Sequence, residues 1–176
     1  HGGFWFTDHG VRLERSSDRT GVFYAAFDGS SIREVLFPLD APNGVGLSPA
    51  GDRLYVAETH TGRVWAWDVP EPGVAQGSGL LEPHGDLLCG LPGHQLLDSL
   101  AVDGDGWVCV GTLLNGGITA ISPDGSRLEH HPADDLMVTN ICFGGPEGRT
   151  AYATASSSGR LLTAEWPRSG LRLAYP

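Results

Sequence analysis

Four stretches of this chain share one grammar, and that repetition constrains the fold more than any other feature. Each runs as an apolar strand, a glycine-bearing turn, a second strand, another glycine turn and a third strand. The clearest copies are NGVGLSPAGDRLYVAETHTGRVWAWDV from Asn43 to Val69, DSLAVDGDGWVCVGTLLNGGITAISPDG from Asp98 to Gly125, and TNICFGGPEGRTAYATASSSGRLLTAEW from Thr139 to Trp166. A shorter copy comes first, FWFTDHG from Phe4 and then GVFYAAFDG from Gly21. Within each copy apolar side chains alternate with period two, as in Leu54 and Val56, Trp65 and Trp67, Val108 and Val110, Ile118 and Ala120. Such alternation sends successive side chains to opposite faces of a strand, and no stretch sustains the 3.6-residue period of a helix. The middle strands, followed from Tyr55 to Val108 to Tyr152, recur after 53 and 44 residues. A four-stranded propeller blade takes roughly 40 to 50. The expected fold is therefore all-β, a β-propeller of about three full blades plus a partial one, in a single domain over 1–176. A β-sandwich is the alternative, but it needs no such repeat. Blade interiors are expected to hold Trp65, Trp67, Val108, Phe143 and Tyr152.

Composition supports tight turns and narrows function. The 26 glycines and 12 prolines among 176 residues are nearly twice the usual share of about 12%. All 11 basic residues are arginines against 21 acidic ones, for a net charge of −10. That balance argues against a nucleic-acid partner, which needs clustered positive charge. The absence of lysine removes Schiff-base chemistry and the phosphate-gripping lysine of a P-loop. No apolar run approaches the roughly 18 residues of a membrane span, so no membrane partner is expected. Cys89, Cys109 and Cys142 are odd in number and lack CxxC spacing; buried thiols in a reducing compartment fit, and a cytoplasmic location is expected. The first residue is His1 and the one methionine is Met137, so a leader lost with the natural start stays open.

Several tempting motifs fail. Asp103-Gly104-Asp105-Gly106 begins like a calcium loop, but Trp107 stands at the fifth position and no Glu at the twelfth; it reads as a turn. Asn43-Gly44-Val45-Gly46 has Pro49 where a dinucleotide loop needs its third glycine. Ser157 in ASSSG echoes a nucleophile elbow, yet the repeat puts it in a hairpin turn. His130 and His131 are adjacent, so on a strand they face opposite ways and cannot share a metal.

A positional oddity remains. Asn43 in APNGVGLS and Asp98 in LLDSLAVD are polar, oxygen-bearing residues at the starts of strands that a propeller places innermost, and Asn140 in VTNICFGG offers the same in the last copy. Oxygens converging from separate blades on one mouth of a channel suit a hard divalent cation. The plainer reading is that each caps a strand end or holds channel water.

The ordered series PNGVGLSPAGDRLYVAET, DSLAVDGDGWVCV, LLNGGITAISPDG and TNICFGGPEGRTAYAT resembles the gluconolactonase family that includes regucalcin, the senescence marker protein. FWFTDHG resembles the strand that there follows a channel-lining Asn motif, and the resemblance covers essentially the whole chain. It implies a six-bladed propeller with one divalent metal in the channel, calcium or zinc foremost, magnesium or manganese as alternatives. It also implies hydrolysis of sugar lactones and sometimes other esters. By the same resemblance Asn43 falls on a metal-binding Asn, Asp98 on a metal-binding Asp that is also the proposed general base, and Asn140 near the channel as a substrate-binding residue. The family's Glu ligand and a further substrate Asn would precede His1. The chain thus corresponds to the family's last two-thirds, with N-terminal blades missing. Alone it is expected to be a poor catalyst that self-associates through an open propeller edge. A phosphotriesterase-like activity on the same metal, or a non-catalytic binding propeller, are the competing functions.

Overall fold

The structure is a computed structural model describing residues 2–173, and every regular element among them is a strand. The first sheet joins β1 (Gly3–Thr7), β2 (Arg19–Ala26) and β3 (Ile32–Asp40). The second joins β4 (Pro42–Leu47), β5 (Arg53–Glu58) and β6 (Arg63–Glu71), and β6 then carries both β7 (Val74–Gln76) and β8 (Asp86–Gly90) along its outer side. The third runs β9 (Leu96–Val102), β10 (Val108–Leu113), β11 (Gly117–Ile121), β12 (Leu128–Pro132), and the last β13 (Val138–Gly144), β14 (Thr150–Ala155), β15 (Arg160–Glu165). All pairings are antiparallel and, apart from β6 with β8, join neighbours in sequence, as tight glycine turns dictate. The Ser48–Asp52 hairpin shows the device: Gly51 sits at φ 73°, and the Ser48 hydroxyl accepts the N–H groups of Asp52 and Arg53.

The sheets stack in chain order, and the period-two pattern explains how. On β5, Leu54 and Val56 pack into the core shared with the first sheet, while Tyr55 and Ala57 pack into the core shared with the third. On β10, Val108 and Val110 face the second sheet and Cys109 faces the last. Both strands are thus buried on both faces, unlike a strand with one wet side. The first strands of successive sheets meet one another, β4 packing on β9 and β9 on β13, with β1 against β4. This is the propeller arrangement that the repeat implies.

Two details differ from the sequence reading. The last sheet has three strands, and β15 is exposed along most of its length. Of the expected interior residues Trp67 and Val108 are fully buried, whereas Trp65, Phe143 and Tyr152 are only half-buried. For Tyr152 the cause is position: it faces away from Ala151 and Ala153, which pack on the third sheet's core, and among the described residues no sheet covers that side, whereas Phe143 packs against that core beside Trp166. The Asp103–Gly106 segment is a turn, as expected, and so is Ser156–Gly159 around Ser157. His130 and His131 face opposite ways on β12, the first meeting the Thr119 hydroxyl and the second tilted against the Trp166 ring, centroids 4.2 Å apart.

Candidate functional site

In three consecutive sheets the first strand carries one extra residue at the same level. On β4, Pro42 pairs with Glu58 and Val45 with Val56, so Asn43 and Gly44 together face Ala57. On β9, Leu97 pairs with Thr112 and Leu100 with Val110, so Asp98 and Ser99 face Gly111. On β13, Val138 pairs with Ala155 and Asn140 with Thr154, which leaves Thr139 as the extra residue. A β-bulge bends its strand and re-aims a side chain. Asn43 and Asp98 are therefore brought together by equivalent irregularities on adjoining strands.

Close backbone approach joins them. A Cβ on Gly44 would lie 2.7 Å from the Asp98 carbonyl oxygen and 2.6 Å from the Leu100 nitrogen, so only glycine lets β4 and β9 meet here. Gly111 repeats the device against β13, where a Cβ would lie 2.7 Å from the Val138 oxygen.

The hydrogen bonds decide which atoms are left over. The Asn43 amide nitrogen donates to Thr59 Oγ1 at 3.4 Å, and its backbone oxygen accepts the Thr7 hydroxyl at 2.6 Å. Asp98 Oδ1 accepts the Ser99 N–H at 2.9 Å. No protein donor reaches Asn43 Oδ1 or Asp98 Oδ2 among the described residues, and both side chains are half-buried. An amide oxygen and a carboxylate oxygen left without donors on adjoining strands are the atom types of a hard-cation donor set. They carry one negative charge between them. No group of three His, Cys, Asp or Glu side chains suited to a metal occurs among the described residues.

The third polar residue sits differently. Register gives Thr139 the place held by Asn43 and Asp98, with its hydroxyl occupied by Thr154 and Ser156 at 2.8 and 3.1 Å. Asn140 is one residue further along, exposed, with Oδ1 on the Ile141 N–H at 2.8 Å. Two histidines stand near residues that bond Asn43, His9 just beyond Thr7 and His60 next to Thr59, ring centroids 5.9 Å apart. Burial, reinforced by the nearby Arg12 charge, holds His60 below the usual imidazole range. It is neutral near pH 7. The shallow depressions elsewhere, lined by Glu147, Arg149 and Glu165 or by Arg53, Asp68 and Gln76, share no residue with the bulges.

The profile of the SMP-30/gluconolactonase/LRE-like region matches residues 1–157. The chain belongs to that family. Among curated members it is 32% identical over 128 residues to lactonase drp35 of Staphylococcus saprophyticus, covering 72% of this chain and 37% of the relative. It is 30% identical over 172 residues to the gluconolactonase of Zymomonas mobilis, covering 88% of this chain and 45% of that one. The chain thus spans less than half the length of these two family members. Among solved structures, the calcium-binding protein regucalcin of Agrobacterium tumefaciens superposes with a TM-score of 0.73 at 15% identity, over 98% of this chain and 62% of its own, a likeness of fold.

Proposed function

We propose that the bulges of β4 and β9 form part of the site of a metal-assisted lactone hydrolase. The observation that carries this reading is the pair of partner-free oxygens, Asn43 Oδ1 and Asp98 Oδ2, on adjoining strands of a chain whose family relatives bear lactonase names. Asn43 and Asp98 would hold one divalent cation, calcium or zinc first, magnesium or manganese as alternatives. Bound there, the cation supplies Lewis acidity toward a lactone carbonyl and lowers the pKa of a water.

Asp98 has the second task. With Oδ1 tied to the Ser99 N–H, its carboxylate is fixed in orientation, and a carboxylate lone pair not engaged with the cation would take the proton of the attacking water. Asn43 adds a ligand oxygen without adding charge, its amide turned by Thr59. Asn140, on the next strand and exposed, is placed to meet substrate hydroxyls. Opening of the lactone ring releases a hydroxy acid. We also place the protein in the cytoplasm, a proposal supported by three cysteines that are all unpaired.

Manganese(II) titration followed by NMR tests the site. The Asn43 side-chain amide and the Asp98 and Ser99 backbone signals should broaden first; broadening centred on another part of the surface rejects the assignment. A pH-stat assay with a sugar δ-lactone and millimolar calcium or zinc tests the chemistry, and any rate above spontaneous ring opening should vanish in Asp98→Asn.

A further inference from the structure

β4 enters the bulge through a corner that its own sequence does not favour. Ala41 is 3% exposed and holds φ at 48°, in the left-handed region that alanine avoids. Such a residue persists only where its surroundings over-determine it. Here the surroundings are two hydrogen bonds: Ala41 O accepts the Thr59 N–H at 3.0 Å, and the Asp40 N–H is donated to Glu58 Oε1 at 2.8 Å. Glu58 is itself 3% exposed. Its other oxygen accepts the Thr61 hydroxyl at 2.6 Å and the Trp65 indole N–H at 3.0 Å. One buried carboxylate therefore ties the lead-in of β4 to the β5–β6 turn and to β6.

The other sheets show that a propeller does not need this carboxylate. By register the counterparts of Glu58, opposite Leu97 and Val138, are Thr112 and Ala155. Neither lead-in there holds a left-handed residue other than glycine among the described residues. The carboxylate goes with the strained corner. Two residues past that corner stands Asn43, whose amide leans on Thr59, the residue after Glu58.

We propose that Glu58 is a positioning residue, holding the Asp40–Ala41 corner and through it the direction in which Asn43 presents its amide oxygen to the cation site. The cation readout rests on the function proposed above; the amide readout does not. In Glu58→Ala, the Asn43 side-chain amide loses its protected environment in the 15N-1H spectrum. Manganese(II) affinity falls about tenfold, the loss usual for an outer-shell partner. Ala41→Gly alone leaves both readouts unchanged. Added to Glu58→Ala, it removes the strain and returns affinity to within about threefold of the parent, on the same scale of outer-shell effects.

Thr61→Val and Trp65→Phe remove the other two donors without touching the corner. They lower the melting temperature and leave the Asn43 amide where it was, so the proposal stays testable even if Glu58→Ala unfolds. It is overturned if Glu58→Ala leaves the amide unmoved, if Ala41→Gly rescues nothing, or if Thr61→Val and Trp65→Phe displace the amide as far as Glu58→Ala does. A wild-type chain that binds no manganese sinks the cation reading alone, and the amide signals still decide the role of Glu58.

Discussion

At the scale of single residues the site depends on which oxygen atoms the fold leaves without donors. In the proposed site Asp98 would combine ligand and proton acceptor, whereas Asn43 would only ligate. Asp98→Asn should therefore reduce lactone hydrolysis by about 10²–10⁴-fold, the range for a general base, and Asn43→Asp by much less. Equal residual rates at saturating metal would contradict that division. A different carboxylate contributes to stability in acid. Asp135 is held well below the usual carboxylate range, first by the Ser158 hydroxyl and then by the Met137 N–H, the Ser157 side chain and the Ser158 N–H. Its folded pKa lies below its unfolded value near 4, so its stabilisation is complete above about pH 4 and is lost as pH falls further. The melting temperature should drop on acidification below pH 4. Asp135→Asn should melt lower than the parent at pH 6, with the gap narrowing as pH falls below 4; a constant gap would refute the assignment. The strand starts that carry Asn43 and Asp98 were legible in the sequence because a polar residue interrupts an otherwise apolar run. Glu58 was not, since a charged residue at a strand end is ordinarily solvated and only the fold reveals three donors around it.

At the scale of elements, the bulge is the working unit. Gly44→Ala should push β4 from β9, because the added Cβ meets backbone rather than a flexible side chain. A cost of about 1–3 kcal/mol is expected for such overpacking, read as a lower urea midpoint, together with loss of manganese broadening at Asp98. An unchanged midpoint would show that the strands have room to spare. The strands themselves were readable from alternation, down to β5 dividing Leu54 and Val56 from Tyr55 and Ala57. The bulge register was not. It is set by which residues of the next strand pair, and nothing in VTNICFGG alone tells that Thr139, and not Asn140, takes the place of Asp98. The outer strands were hardest to read, because β7 and β8 share one edge of β6 end to end and leave no repeat signature.

At the scale of the whole molecule, the edges and the cross-links between sheets matter most. β1 pairs with β2 alone among the described residues, bears no charge, and exposes half of Phe4, stacked on Phe27 at 6.1 Å. Such an edge is a template for a second copy, and we expect concentration-dependent dimers in light scattering that Phe4→Lys disperses. A monomer at all concentrations would count against it. Between the last two sheets, Asp103 is fully buried and paired with Arg168, whose guanidinium also reaches Glu129 at 2.8 Å and lies 4.1 Å over the Trp107 ring. Arg168→Met should cost about 3–5 kcal/mol by stranding a buried carboxylate, and Asp103→Asn in the same chain should recover much of it in a urea titration. That pairing spans 65 residues and was invisible to motif reading. It also bears on how the molecule is made. A chain emerging N-terminus first delivers Asp103 long before Arg168, so the third sheet cannot bury its carboxylate until the fourth has been synthesised and the segment after Trp166 has closed over it. Repeats that look interchangeable in sequence are thereby joined by a contact that can form only once both sheets have been made.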